Sequence, residues 1–299
     1  MAANWNTLSL STDDMELVLL PGVGGRLWDI VFREERLLFR NPDLEGERFN
    51  VEDVAQLPTR SPHFKFPLWG GEKTWVAPDS KWPGAAPHAV LDSGAYTVEW
   101  STASEVLMVS ARCPLSGLRI SRRIALRSEQ SFDITHTVAN EGDDTRETGV
   151  WSVMMLNHPS TIAIPSSRPG FETVFGEADD LVGNNARASI CICNRKAEFK
   201  VGVRCDTGVA IMRIGTKPVW LLCETKPTSV DEVFLHGQPC EVFNSGDYDY
   251  CEAEWHSPAK SLAPGETMSF SQHFELWQNK ARLPDIAKQK VIGEVLACM

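Results

Sequence analysis

Long apolar runs are missing from this sequence of 299 residues. No stretch of 18 apolar residues occurs, so we expect no membrane-spanning helix. The first twenty residues lack a basic region and carry acidic residues inside their apolar part, which argues against a secretory signal. The sequence therefore predicts a cytoplasmic protein that has no membrane partner.

Basic charge and nucleotide-binding motifs are also scarce. The chain has 29 Lys and Arg residues against 40 Asp and Glu residues, a net charge of -11. A nucleic-acid partner normally needs a basic face, so none is expected. No GxGxxG follows a strand, and neither GxxxxGK(S/T) nor the GxSxG elbow of α/β-hydrolases occurs. These absences argue against nucleotide cofactors and against an α/β-hydrolase.

Eight cysteines are present, but they are scattered and mostly flanked by apolar residues. This pattern is typical of reduced, buried thiols in a cytoplasmic protein. Cys191 and Cys193 resemble half of a metal site, yet no second pair stands at zinc-site spacing. His236 and His256, like the other histidines outside position 158, show no spacing typical of a metal site or a triad. We therefore expect no metal and no other cofactor.

Short β-like segments, separated by turns, make up most of the chain. They include Met15–Leu20, Arg26–Phe32, Ala188–Cys193, Phe199–Val203 and Val219–Glu224. Many short strands of this kind indicate a sandwich or a barrel. A helix is predicted only near the C terminus, over Pro284–Ala297. With no linker-like stretch, we expect one all-β domain over residues 1–299, in which Pro58–Pro87 forms long functional loops.

One segment of these expected loops combines aromatic and charged residues in the manner of a sugar site. Within it stand Trp69, Trp75 and Trp82, interleaved with Glu72, Lys73 and further charges. A tryptophan face stacks on the C–H face of a sugar ring, while neighbouring charges bind its hydroxyl groups. The alternative is a small tryptophan-rich core beneath a long loop, and the residues alone leave both open.

Two other segments carry possible acid–base groups. Glu252 and Glu254 stand two residues apart in a predicted strand and therefore share one face. Facing a pocket, they could serve as a general base and a hydroxyl ligand; the alternative is a solvated strand face. His158 follows an apolar strand and could protonate an oxygen near neutral pH, although a lone histidine is more often structural.

In their order along the chain, these motifs resemble the galactose mutarotase-like superfamily, the aldose 1-epimerases and their relatives. Gly24–Ile30 followed by Leu37–Pro42 is similar to the opening hairpin of that family. Trp69-Gly70-Gly71 stands where the epimerases carry His-Gly-Gly. The blocks Tyr250–Pro258 and Leu262–Glu266 are similar to the C-terminal "E-x-E … SP … L-x-PGE" pattern. The WGG-x-K-x-W motif indicates a separate branch from the true epimerases.

The resemblance implies a β-supersandwich whose concave sheet face binds a sugar. In the epimerases, a glutamate removes the proton from the C1 hydroxyl and a histidine protonates the ring oxygen, so the ring opens and recloses as the other anomer. By motif position, the base falls on Glu254 or Glu252 and the acid on His158. Arg26, Lys73 and the tryptophans would line the site. This mechanism requires no cofactor.

We therefore expect a carbohydrate-binding isomerase, an aldose 1-epimerase-like enzyme acting on a free sugar or sugar derivative, as a monomer or homodimer. Two alternatives remain open. One is a non-catalytic carbohydrate-binding or regulatory domain on the same fold, and the other is a cyclase, lyase or epimerase acting on a sugar-like metabolite. The departures from the epimerase pattern concern Trp69, which replaces a histidine, and Pro159-Ser160, which replace an aromatic pair.

Overall fold

The chain folds almost entirely into antiparallel strands. This computed structural model describes residues 5–278, 293–296 and 299. Within them the strands are β1 (Leu8–Ser11), β2 (Met15–Leu20), β3 (Arg26–Phe32), β4 (Glu35–Arg36), β5 (Glu72–Ala77), β6 (Thr97–Ser101), β7 (Glu105–Val109), β8 (Leu118–Ser128), β9 (Ser131–Asn140), β10 (Arg146–Asn157), β11 (Ser160–Pro165), β12 (Phe171–Gly176), β13 (Val182–Asn184), β14 (Ala188–Cys193), β15 (Phe199–Val203), β16 (Val209–Ile214), β17 (Val219–Glu224), β18 (Cys240–Asn244), β19 (Tyr250–His256), β20 (Lys260–Leu262) and β21 (Thr267–Trp277).

Helices are short in the described part of the chain. One α-helical turn, α1, spans Ala89–Asp92, and 3-10 turns occur at Val51–Gln56, Asp79–Lys81, Pro83–Ala85 and Asp179–Leu181. Residues 293–296 are helical, while the rest of the helix predicted over Pro284–Ala297 lies outside the described residues. Within the same residues, no helix has the length and apolar character needed to cross a membrane.

Two large sheets form the architecture. In the first, the order is β1-β2-β3-β5-β10-β19-β18-β15-β12, with β4 added beside β3 and β20 beside β10. In the second, the order is β13-β14-β11-β16-β17-β21-β9-β8-β7-β6. A continuous apolar core fills the space between the sheets, contributed by alternate residues of most strands. The predicted all-β sandwich is therefore confirmed.

The first sheet is covered on both faces at its centre. Every residue of β5 and of β19 is buried, whereas β9 alternates between buried and partly exposed positions as expected for a sheet with one solvated face. On the outer face of the first sheet, a second apolar cluster gathers residues from several strands and loops, among them Trp75, Trp151, Met155 and Phe243. This outer cluster forms the surroundings of the candidate site.

The strand predictions have one important correction. β2, β3, β14, β15 and β17 match their predicted bounds, but β5 (Glu72–Ala77) lies inside the segment expected to be loops. The sequence does not predict this strand, because the adjacent opposite charges of Glu72 and Lys73 are typical of a solvated loop. In the fold, β5 pairs with β10, and Glu72 and Lys73 point to opposite faces of the sheet. Both faces are covered there, so both charges are buried.

Candidate functional site

A cavity of about 550 Å³ opens on the outer face of the first sheet. Its floor is formed by side chains of β5, β10, β19, β18 and β15, and its walls by β12 and by the loops before β5, after β5 and after β17. Lining residues that carry chemistry include Trp75, Trp82, Trp151, Lys200, His236, Glu241 and Glu252. Few polar groups set among many aromatic rings are typical of a small-ligand site.

Strand alternation explains which side chains reach this floor. On β19, Cys251, Ala253 and Trp255 belong to the core between the sheets, so the glutamates at positions 252 and 254 point to the outer face. The expectation that both glutamates share one face is consistent with this arrangement. On β15, Phe199 and Val201 point into the core in the same way, which places Lys200 on the outer face.

The centre of the floor is a buried cluster of one lysine and two glutamates. Glu241 and Glu254 face each other across the β18–β19 pair. The ammonium group of Lys200 donates to one carboxylate oxygen of each, at 3.0 Å in both cases. Trp151 lies beneath the same ammonium, 4.7 Å from it, and donates its indole N–H to Glu254 at 2.7 Å.

Opposite pKa shifts distinguish these two carboxyl groups. Burial alone would raise the pKa of Glu241, but Lys200 and the hydrogen bonds from His236 and His256 outweigh burial and hold it well below its ordinary value. Burial, reinforced by the charges of Glu241 and Glu252, raises the pKa of Glu254 to about 8 in spite of Lys200. At neutral pH, Glu241 is therefore ionised and Glu254 keeps its proton.

Two histidines join this centre, a proximity that their sequence spacing does not suggest. His236 Nδ1 lies 3.1 Å and His256 Nε2 lies 2.9 Å from the same oxygen of Glu241. The three ligand-type atoms lie within 4.8 Å of one another, so this His–Glu–His cluster (His236, Glu241, His256) has a composition that can hold a metal ion. However, the ammonium group of Lys200 already lies 3.0 Å from the shared oxygen, where a metal ion would bring a second positive charge.

Lys73, predicted to bind substrate, does not line the cavity, but it is buried and forms an ion pair with Glu252, which does. Lys73 Nζ lies 3.2 Å from Glu252 Oε1 and 4.2 Å from the centre of the Trp75 ring. Burial is the main cause that lowers the pKa of Lys73, partly offset by the charge of Glu252. Glu252 lines the cavity, whereas Glu254, only 1% exposed, lies beside Lys200 and Trp151 and does not line it.

Three tryptophans provide part of the aromatic surface of the cavity. Trp75 and Trp82 were predicted to bind substrate, and both line it. Trp82 stacks on Trp151 with 5.3 Å between ring centres, and Trp75 meets both rings edge to face at 5.1 Å and 4.9 Å. Trp151 also lines the cavity, but the sequence does not identify it as a site residue. It lies in β10, an apolar strand, and such a strand does not show which face its tryptophan occupies.

Trp69 and Arg26, both predicted to bind substrate, lie outside the cavity. Trp69 is fully buried against Trp28 and Phe49, and its indole N–H donates to Ser93 at 2.9 Å. The alternative of a tryptophan-rich core beneath a loop is therefore correct for Trp69. Arg26 is 1% exposed and forms an ion pair at 2.7 Å with Asp92, on the far side of Trp75.

Glu72, also predicted to bind substrate, faces the space between the sheets. It forms an ion pair with Arg122 of the second sheet and accepts a hydrogen bond from Ser152 at 3.2 Å. One residue along, Lys73 points to the opposite face, as strand alternation requires. The structure therefore does not bring Glu72 and Lys73 to one site, and Glu72 has structural partners between the sheets.

His158 is not brought to the glutamates. It follows the end of β10, and its Nε2 lies 2.9 Å from Asn244 Oδ1. Asn244 occupies the face of β18 that carries Cys240 and Val242 into the core, opposite to the face of Glu241. Burial lowers the pKa of His158. The structure offers His236 as the cavity-lining histidine in its place.

A second cavity of about 610 Å³ lies at an edge of the sandwich beside Trp255. Its walls include Pro227, Pro239 and Pro258 together with the threonines and serines of neighbouring loops. His256 is the histidine of its lining, and stacked tryptophans and cavity-facing carboxylate pairs are missing there. We therefore take the aromatic cavity on the first sheet as the candidate site.

No protein-family model and no curated protein sequence matches this chain. Solved structures do. A protein from Escherichia coli K12, provisionally described as an aldose 1-epimerase, aligns with a TM-score of 0.60 and 14% identity over 92% of this chain and 99% of that chain. A galactose mutarotase-like protein from Lactobacillus casei ATCC 334 aligns with a TM-score of 0.58 and 8% identity, over 91% of this chain and 100% of that chain.

A galactose mutarotase-like protein from Clostridium acetobutylicum gives a TM-score of 0.55 and 13% identity, over 91% of this chain and 95% of that chain. Identities this low establish the fold alone. The chain thus has the galactose mutarotase-like β-sandwich fold, and the resemblance found in its motifs is confirmed at that level.

Proposed function

We propose that this chain binds a free sugar or a sugar derivative in the aromatic cavity and interconverts its anomers by acid–base catalysis. The observation that supports this function is the combination, in one cavity, of stacked tryptophans with the carboxylate of Glu252 and the imidazole of His236. The fold shared with galactose mutarotase-like proteins supports the same substrate class. Fold likeness by itself does not fix the reaction.

The binding mode follows from the two kinds of lining. The rings of Trp75 and Trp82 offer apolar faces for the C–H face of a sugar ring. Lys200 and Glu241 on the floor offer a donor and an acceptor for hydroxyl groups. Because both charges are already paired with each other, a neutral sugar adds hydrogen bonds without bringing a further charge into the cavity.

Proton transfer in the proposed reaction uses two groups of the same lining. Glu252 takes the proton of the C1 hydroxyl, the C1=O bond forms, and the bond between C1 and the ring oxygen breaks. His236, with a proton on each ring nitrogen, gives the Nε2 proton to that ring oxygen, and rotation about the C1–C2 bond followed by the reverse steps produces the other anomer. Glu241, which accepts from His236 Nδ1, holds the imidazole in place.

Glu252 is preferred to Glu254 as the base on two grounds. Glu252 lines the cavity, while Glu254 lies beneath Lys200 and Trp151. A pKa of about 8 leaves Glu254 protonated at neutral pH, so it cannot accept a proton there. Its place is then to hold Lys200 and Trp151 in position.

The test is the rate of α/β exchange in a panel of free sugars, measured by NMR saturation transfer. Glu252→Gln should lower kcat by about 10²–10⁴-fold with little change in affinity, because the amide keeps the shape but not the basicity. His158→Asn, outside the cavity, should leave the exchange rate unchanged. A wild-type protein that binds a sugar but accelerates no exchange would overturn the isomerase and favour the non-catalytic binding domain.

A further inference from the structure

Four phenylalanines form one continuous wall of the cavity. The ring centres of Phe64 lie 5.5 Å from those of Phe66 and Phe243, and Phe175 lies 6.1 Å from Phe243 and 6.4 Å from Phe64. All four line the cavity. They come from the loop before β5, from β12 and from β18, so three separate parts of the chain contribute to this phenylalanine wall (Phe64, Phe66, Phe175, Phe243).

The phenylalanine wall connects the strand of Glu252 with the tryptophans. At one end, Phe243 is the cross-strand partner of Glu252, the proposed base. At the other end, Phe66 lies 5.9 Å from Trp75 and 6.4 Å from Trp82. In the sheet, Lys200 is the cross-strand partner of both Phe175 and Phe243, but its ammonium group is directed to Glu241 and Glu254. The polar atoms of the floor therefore gather at Glu241, whereas Phe64 and Phe66 lie among other aromatic rings.

The chemistry of such a wall discriminates between substituents of a sugar. A hydroxyl group placed against phenyl rings loses its water and gains no partner, which is unfavourable. A methyl group at the same place loses nothing and gains apolar contact. An ordinary hexose carries a hydroxymethyl group on C5, while a 6-deoxyhexose carries a methyl group there.

We infer that the phenylalanine wall is a subsite for the methyl group of a 6-deoxyhexose. This inference rests on the proposed function, because Glu252 fixes where C1 must lie. C5 is joined to C1 through the ring oxygen, which the proposed mechanism places at His236. His236 lies against Trp151, Trp151 stacks on Trp82, and Trp82 lies beside Phe66, so the substituent on C5 falls at the Phe66 end of the wall. The remaining ring hydroxyls then face the polar floor.

The experiment compares the affinities of three matched sugar pairs by calorimetry: D-fucose with D-galactose, 6-deoxy-D-glucose with D-glucose, and L-rhamnose with L-mannose. Each pair differs only in the hydroxyl on C6. In the pair with the preferred ring stereochemistry, the deoxy member should bind about 10-fold more tightly or better, as expected for one hydroxyl left without a partner. The exchange rates of the same sugars are measured in parallel.

Two variants connect the preference to the wall. Phe64→Tyr adds a hydroxyl to a half-buried ring of the wall and should reduce the preference for the deoxy sugar several-fold. Phe171→Tyr makes the same change on a half-buried ring that does not line the cavity, and should leave the preference unchanged. Should Phe64→Tyr fail to fold, the affinity ratios of the three sugar pairs for the wild-type protein still test the methyl subsite.

The outcomes distinguish failure of the methyl subsite from failure of the proposed isomerase activity. Equal or tighter binding of the hydroxymethyl sugars, with exchange still catalysed, would overturn the methyl subsite and leave the isomerase standing. Binding of no sugar in any pair would overturn both. A deoxy preference that Phe64→Tyr leaves unchanged would overturn the wall as its cause, whatever Phe171→Tyr does.

Discussion

The buried carboxyl group of Glu254 should make the fold less stable as the pH rises through neutrality. In the fold, burial and the neighbouring charges of Glu241 and Glu252 raise its pKa to about 8, while a glutamate ordinarily titrates near 4.5. Between these two values, the unfolded chain has released a proton that the folded chain still holds. Unfolding is therefore favoured by rising pH across that window, and the effect is complete above pH 8.

The magnitude follows from the size of the shift. Each pKa unit corresponds to about 1.36 kcal/mol, so a displacement of about 3.5 units lowers the free energy of unfolding by up to about 5 kcal/mol at pH 8 and above. At pH 6, which is about 1.5 units above the ordinary pKa of 4.5, the free energy of unfolding is lowered by about 2 kcal/mol. Glu254→Gln removes the ionisation and retains an oxygen that accepts from Trp151 and Lys200.

Urea unfolding of wild type and Glu254→Gln from about pH 5 to pH 9 measures this difference. We expect the variant to be the more stable protein, by a margin that grows with pH and becomes constant above about pH 8. His136 and His256, whose pKa values burial lowers, affect both proteins alike and cancel in the comparison. Glu172→Gln, on an exposed position of β12, is the matched control. A margin that is independent of pH, or that favours wild type increasingly at high pH, would refute the assignment of a neutral Glu254.

Three further predictions address the aromatic surface, the metal and the core. Trp75→Ala should weaken sugar binding by about 1–3 kcal/mol, seen as a smaller fluorescence change at equal sugar concentration, since a large ring contact is lost. Prolonged chelation should leave α/β exchange intact, because hemiacetal opening needs only proton transfer; loss restored by a divalent ion would assign the His–Glu–His cluster as ligands. Arg122→Met should lower the free energy of unfolding by about 3–5 kcal/mol, because it leaves Glu72 buried without its partner, whereas the exposed Arg123→Met should change it little.

The sequence predicted the strands well where apolar residues dominate them. Met15–Leu20 and Phe199–Val203 have the predicted bounds, because their apolar alternate residues pack between the sheets. β5 escaped prediction, because its charges at positions 72 and 73 lie on two faces that are both buried in the fold. A strand covered on both faces can accommodate charges only through partners from distant parts of the chain, and a single sequence does not show those partners.

The candidate site was predictable only in part for the same reason. Trp75 and Trp82 could be selected from one aromatic and charged segment, and Glu252 from the alternation of its own strand. Lys200 and Glu241 are single charges inside apolar strands, a pattern that signals a buried pair only when both strands are considered together. His236 belongs to an irregular loop, and only the fold brings it to His256. By contrast, the Trp-Gly-Gly motif pointed to Trp69 through its position alone, and that ring is part of a separate core.

The most direct test of the proposed site is a crystal structure of Glu252→Gln with the tightest-binding sugar of the panel. The variant should bind without turning over, so an unreacted ring should be seen in the aromatic cavity. We predict that its C1 hydroxyl lies within hydrogen-bond distance of the amide at position 252 and its ring oxygen near His236, with a C–H face on Trp75 or Trp82. A sugar bound outside this cavity, or bound in it with C1 turned away from position 252, would contradict the account.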